Sequence, residues 1–173
     1  KSLVDQHINK DINIISAGIL EISISVDDYI SAVFNDLYFG TIRINEQCKN
    51  VDQLIKAPSQ AAWVLVTAYY AAYFMASDIA KASGRFIVNF GEEELRELLS
   101  QTSSPSVVVP IESHNTFFIV AEHGDMTGDI LLRMRKVAAK PHQVVWSNFN
   151  DIVNKVKIDG RRLKHLSLLK SIL

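Results

Sequence analysis

Residues 61–80 read AAWVLVTAYYAAYFMASDIA. No charged side chain lies between Lys56 and Asp78, which leaves 21 uncharged residues in a row. As a helix they would extend about 31 Å, the thickness of a bilayer's apolar core. Their chemistry points instead to a water-soluble protein. Trp63, Tyr69, Tyr70 and Tyr73 lie within the segment, whereas membrane helices place such rings at the interfaces. Mid-depth hydroxyls would also need partners there. Ala68, Ala72, Ala76 and Ala80 recur every four residues as a ridge of small side chains. Trp63, Val66, Tyr70 and Phe74 form a bulky stripe roughly opposite. A helix apolar all round is buried all round, and an alanine ridge lets a second helix approach closely. The expectation is a central helix over 59–83, opened by Pro58-Ser59 and closed by Gly84.

Outward from that helix, the rest of the chain reads as its surroundings. Leu3, Ile8, Ile12, Ile15, Ile19 and Ile22 fall at helical spacing and predict a first helix over 3–23. Ser25 to Asp28 has the Ser-x-x-acid form of a capping box. Ile30, Phe34, Leu37, Thr41 and Ile44 carry a second helix toward Cys48, weakened in the middle by Gly40. A short amphipathic piece, VDQLIKA, leads to Pro58. GEEELRELLSQ (91–101) predicts a short helix with acids in its first turn, where the helix dipole favours them. Residues 106–112 and 116–123 are β-branched and aromatic and predict a hairpin. Residues 129–137 read as a third strand or a helix. An amphipathic helix follows Pro141 over 141–156, and GRRLKHLSLLKSIL (160–173) is a last one. The fold class expected is therefore mainly α: one domain over 1–173, a helical bundle around 59–83 with a small antiparallel β insertion at about 106–137.

Composition sets the outer bounds. The chain has 173 residues, 48% hydrophobic and 21% charged, enough for one core. Its formal charge of −1 favours neither nucleic acid nor membrane overall. Cys48 is the sole cysteine, so neither an intrachain disulfide nor a cysteine zinc site can form. This fits a reducing cytoplasm. No basic segment followed by an apolar one opens the sequence as in a signal peptide. Lys1 is no initiator and the terminal LSLLKSIL lacks a stop, so the chain is expected to continue past Leu173.

Chemistry-bearing patterns are few. No phosphate loop, dinucleotide fingerprint, nucleophile elbow or paired-histidine metal motif occurs, and neither cofactor nor metal is expected. His123, Asp125 and Asp129 share a polar loop whose spacing fits no standard metal site. Two basic stretches remain, 133–142 and 155–165. Brought together, Arg133, Lys136, Lys140, Arg161, Arg162 and His165 would form a positive face for phosphate or RNA.

YYAAYFMASDIAKASGRF (69–86), followed by GEEELRELL, resembles the central helix and next helix of HEPN domains (higher eukaryotes and prokaryotes nucleotide-binding). The resemblance covers residues 59–101. It implies an α-helical homodimer of a prokaryotic defence or toxin–antitoxin system, with an antitoxin or effector protein as partner. Many members are metal-independent endoribonucleases with an Arg, four to six residues, then His. Arg135 and His142 meet that spacing with six residues between them. Lys136 after the arginine and Pro141 before the histidine depart from the pattern. In the implied chemistry the RNA 2′-hydroxyl attacks the adjacent phosphate, His142 moves the proton and Arg135 holds the phosphate. Three readings stand: such a ribonuclease, a non-catalytic dimerisation or partner-binding module, or an α-rich scaffold for a small apolar ligand.

Overall fold

The computed structural model describes residues 10–56, 61–102, 108–124, 128–138 and 140–158. Two strands open it, β1 (Lys10–Ser16) and β2 (Ile19–Ile24). Two long helices follow, α1 (Val26–Ile55) and α2 (Ala61–Ala82). Then come β3 (Arg85–Phe90), α3 (Glu92–Ser100), β4 (Asn115–His123), β5 (Ile130–Lys136) and α4 (Pro141–Ile158). The strands form one antiparallel sheet in the order β1-β2-β5-β4-β3.

This corrects the expected helical bundle with a small β insertion. The chain is a mixed α/β fold whose core lies on the sheet. The first error is at residues 10–24. Their isoleucines satisfy a period of 3.6, yet Ile12 and Ile14, then Leu20, Ile22 and Ile24, also alternate about Gly18. Dense β-branching and a glycine turn favour the strand where both periods fit. Residues 3–9 of the expected helix lie outside the described residues. The second is β3, which follows α2 at Gly84 and received no strand assignment. The third is the hairpin. Residues 116–123 are β4, but 108–112 form no strand, and 106–107 lie outside the described residues. The partners of β4 are β3 and β5 instead. Residues 129–137 resolve as a strand, and the helix after Pro141 forms as expected. The start at Pro58-Ser59 and the terminal helix lie outside the described residues.

One face of the sheet is dry. Leu20 and Ile22 on β2, Leu132 and Met134 on β5, and Phe117 and Ile119 on β4 are buried. Leu95 and Leu98 of α3 join them, each fully buried and each contributing about 1.5–3 kcal/mol. The acids expected to start α3 do so, the Glu94 carboxylate accepting from the Gly91 N–H at 2.9 Å. Asn115 is also fully buried. Its side chain accepts from the Glu112 N–H at 2.9 Å and donates to the Glu112 carbonyl at 2.6 Å, so its burial is compensated.

Ser25 caps the helix as expected, though only half of the capping box is seen: its Oγ accepts from the Asp28 N–H at 3.1 Å and donates to the Asp28 carboxylate at 3.0 Å. The helix it starts runs 30 residues to Ile55, absorbing the segment expected to be separate. Cys48 is half-buried on it. α2 ends at Gly84, whose φ of 75° belongs to the left-handed region that glycine adopts without strain. The buried central pillar expected for 59–83 is corrected too. Among the described residues, α2 touches α1 on one side and α4 and β3 on another, and the rest of its surface is uncovered. Ala71, Ala76 and Ala80 are its buried residues. Among the described residues, no helix is long and apolar enough to cross a membrane.

Candidate functional site

Three places carry functional side chains: a ring cluster between α2 and α4, a charged seam between α1 and α2, and an uncovered apolar face.

Tyr69 and Tyr73 stand four residues apart on α2 and so share a face. Pro141 sits in the first turn of α4, where its missing N–H costs nothing, and His142 follows it toward those rings. The His142 ring lies flat on Tyr73, centroids 4.3 Å apart at 19°. The Tyr69 hydroxyl oxygen is 2.9 Å from His142 Nδ1 and accepts from Trp146 Nε1–H at 3.2 Å. His142 and Trp146 are again four apart, now on α4. Burial lifts the Tyr73 hydroxyl above the usual tyrosine value, and Tyr69 adds to the effect. The arrangement holds an imidazole at both ring face and Nδ1. Nearby, α4 packs on β3, and buried Asn148 donates from Nδ2 to the Arg85 carbonyl at 3.0 Å.

The second place joins the two long helices. Lys81 Nζ is 2.8 Å from Asp36 Oδ2, and Arg43 Nη2 is 3.9 Å from Asp78 Oδ1. The Arg43 guanidinium lies 4.0 Å above the Phe74 ring, within cation–π range. Gly40 explains the closeness of the helices: a Cβ there would fall on the Asp78 carboxylate.

The sequence-predicted residues scatter. Arg135 is exposed on β5, opposite Phe118 on one neighbouring strand and Ile19 on the other. No hydrogen bond or ion pair joins it to His142. Arg133 shares its side of the sheet and is held by Glu21 at 2.9 Å and Glu122 at 3.9 Å. Its hydrogen bond to Glu21 keeps the guanidinium pKa above the usual value. Lys136 points to the opposite face, where it donates to the Pro110 carbonyl at 3.0 Å and pairs with Glu112 at 3.2 Å. Lys140 is exposed just before α4. Arg161, Arg162 and His165 lie outside the described residues, as does Asp125 of the polar loop. Asp129 accepts from Ser23 Oγ at 3.4 Å. Among the described residues no group of three His, Cys, Asp or Glu side chains could hold a metal ion. Sequence reasoning missed Tyr69 and Tyr73 as partners of His142. The signal was present as two four-residue repeats, Tyr-x-x-x-Tyr and His-x-x-x-Trp.

The third place is the largest. Phe34 and Tyr38 on α1 are 69% and 64% exposed, and Leu65, Met75 and Ile79 on α2 are 73%, 40% and 47% exposed. The Lys81–Asp36 and Arg43–Phe74 contacts fix how the antiparallel helices lie side by side. They set Tyr38 level with Ile79, and Ile42 level with Met75. On α2, Ala71, Phe74 and Asp78 point toward α1 while Tyr69, Tyr73, Ala76 and Ala80 point toward α4 and β3. At 100° per residue, Leu65, Met75 and Ile79 occupy the remaining side. The same arithmetic on α1, with Gly40 set toward α2, turns Phe34 to that side and carries Tyr38 and Ile42 progressively round to the back of the helix. Compared with known proteins, the chain matches no family model, no curated protein and no solved structure.

Proposed function

We propose that this protein is an association module whose α1–α2 helix pair docks against another protein surface. The observation that carries this reading is the run of exposed apolar side chains on the helix pair: Phe34 on the side of Leu65, Met75 and Ile79, with Tyr38 and Ile42 continuing round α1. Water-exposed apolar patches of this extent mark interaction sites rather than ordinary surface. Aromatic and methionine side chains are also the types enriched at the centres of interfaces. Photo-crosslinking tests it in the protein's own cells. A crosslinking amino acid at position 34 or 65 is expected to trap a protein, while the same residue at Arg133 or Thr116, on the sheet face opposite the buried core, traps none. Equal yields at all four positions would overturn the reading.

A second reading, a metal-independent endoribonuclease of the HEPN type in a defence or toxin–antitoxin setting, is supported by one observation. His142 is held by Tyr69 through Nδ1 with its ring stacked on Tyr73, which orients an imidazole for proton transfer. RNA incubated with the protein in EDTA is then cut by the wild type and spared by His142→Ala. RNA left intact by concentrated wild-type protein excludes it.

A further inference from the structure

The bare side of α2 has an internal pattern. Leu65, Ala68, Ala72, Met75, Ile79 and Ala82 follow one another at alternate spacings of three and four residues. That is the seam of a helix that packs lengthwise on another helix. The side facing α1 has its own such seam, Ala71, Phe74, Asp78 and Lys81, and that one is occupied. Among the described residues the outer seam has no occupant: Ala68 and Ala82 are exposed and Ala72 is half-exposed.

We infer that the outer seam of α2 is occupied by the same seam of a second copy of this chain, running antiparallel across a two-fold axis. The inference rests on the association reading above and names its partner. The first argument is self-complementarity, which a two-fold interface requires. Set antiparallel with the axis between Tyr73 and Phe74, the seam places Leu65 against Ala82 of the second copy. Ala68 then meets Ile79 of that copy, and Ala72 meets its Met75. Each layer joins one large side chain to one alanine, and the symmetry repeats all three. Alternation of large and small across facing positions is how helix surfaces interdigitate without voids. It also lets the backbones approach to about 8 Å, the short end of helix separations.

The second argument is area. At about 200 Å² for a large side chain, the exposed fractions of Phe34, Leu65, Met75 and Ile79 leave roughly 460 Å² per copy. The weaker class of specific interfaces buries less than about 600 Å² per side, and the exposed alanines bring the seam to that size. The third argument is the character of the seam. A lipid surface has no need of alanines at alternate layers. A closely approaching helix does.

Sedimentation of the full chain gives the first measurement. The expected mass is twice 19.4 kDa at about micromolar concentration, falling to the single-chain mass in Ala72→Glu with helix content unchanged. Disulfide trapping in a Cys48→Ser background gives the geometry. Ala68→Cys combined with Ile79→Cys is expected to yield a covalent dimer under mild oxidation, and either substitution alone is not. In one helix the two positions are about 16 Å apart, too far to bridge within a chain. A covalent dimer from Ala68→Cys alone signifies a parallel pair and overturns the arrangement. A single-chain mass with crosslinks from position 65 to some other protein, or to this chain's own C-terminal residues, overturns self-pairing. In the first of these cases the association reading stands. A single-chain mass without position-dependent crosslinks removes both.

Discussion

Asp78 shows what one side chain contributes when two helices close on it. Burial lifts its carboxyl above the ordinary aspartate value, more than neighbouring Lys81 and Arg43 lower it, and Asp36 acts with burial. A carboxyl raised in the folded state holds its proton more readily there than in the unfolded chain. Folding is therefore favoured as pH falls through the folded pKa and disfavoured as pH rises through it. Asp78→Asn is expected to melt at or above the wild-type temperature at about pH 7, with the difference shrinking toward about pH 4. Thermal melts across that range check it. A lower melting point for the variant at neutral pH would mean that the pairing with Arg43 outweighs desolvation. None of this was legible in the sequence, because the pairings cross from one helix to another and no local pattern records them. The residue roles that were legible are local ones: Ser25 as a cap, Glu94 in the first turn of α3, Gly84 as a stop.

At the scale of elements, the α1–α2 pair depends on a missing methyl group. Alanine in place of Gly40 would add about 1 kcal/mol of helix propensity. Its Cβ would also force the Asp78 carboxylate away, and overpacking of this kind costs typically 1–3 kcal/mol. Gly40→Ala is expected to lower stability by up to about 2 kcal/mol in denaturant titration. Gly40→Ala with Asp78→Ala should restore most of the loss, because the two positions share one space. The sequence presented Gly40 as a flaw in a helix, whereas it is the contact point of two. The helices themselves were readable wherever the 3.6-residue period was unopposed, as in α2, α3 and α4. β1 and β2 were not, since isoleucines spaced three and four apart can also alternate about a turn. Alternation suggested β5 but left a helix open there; the structure decides for the strand, with Ile130, Leu132 and Met134 buried.

For the whole molecule, the fold-class error came from strands read as helix or left unassigned, and the expected buried pillar came from a separate premise, that an uncharged segment must be enclosed by its own chain. α2 is apolar on more sides than the described residues cover. Its surplus is what both the association reading and the two-fold arrangement use. The candidate site was legible only in part: His142 was singled out with Arg135, which stands on β5 with no hydrogen bond or ion pair to it. The rings that do hold His142 come from α2, brought there by a tertiary contact. The topology has a further consequence for how the molecule is made. β2 lies beside β5 in the sheet, yet Ser23 and Asp129, which touch across that pair, are separated by 106 positions. At a translation rate of about 5–20 residues per second, the first two strands wait roughly 5–20 seconds for their central neighbour to emerge from the ribosome. Throughout that interval their inner edge is open, and the oily helices are already out. The nascent chain is therefore at its most vulnerable to sticking, and most in need of a chaperone, before its own middle strand has been synthesised.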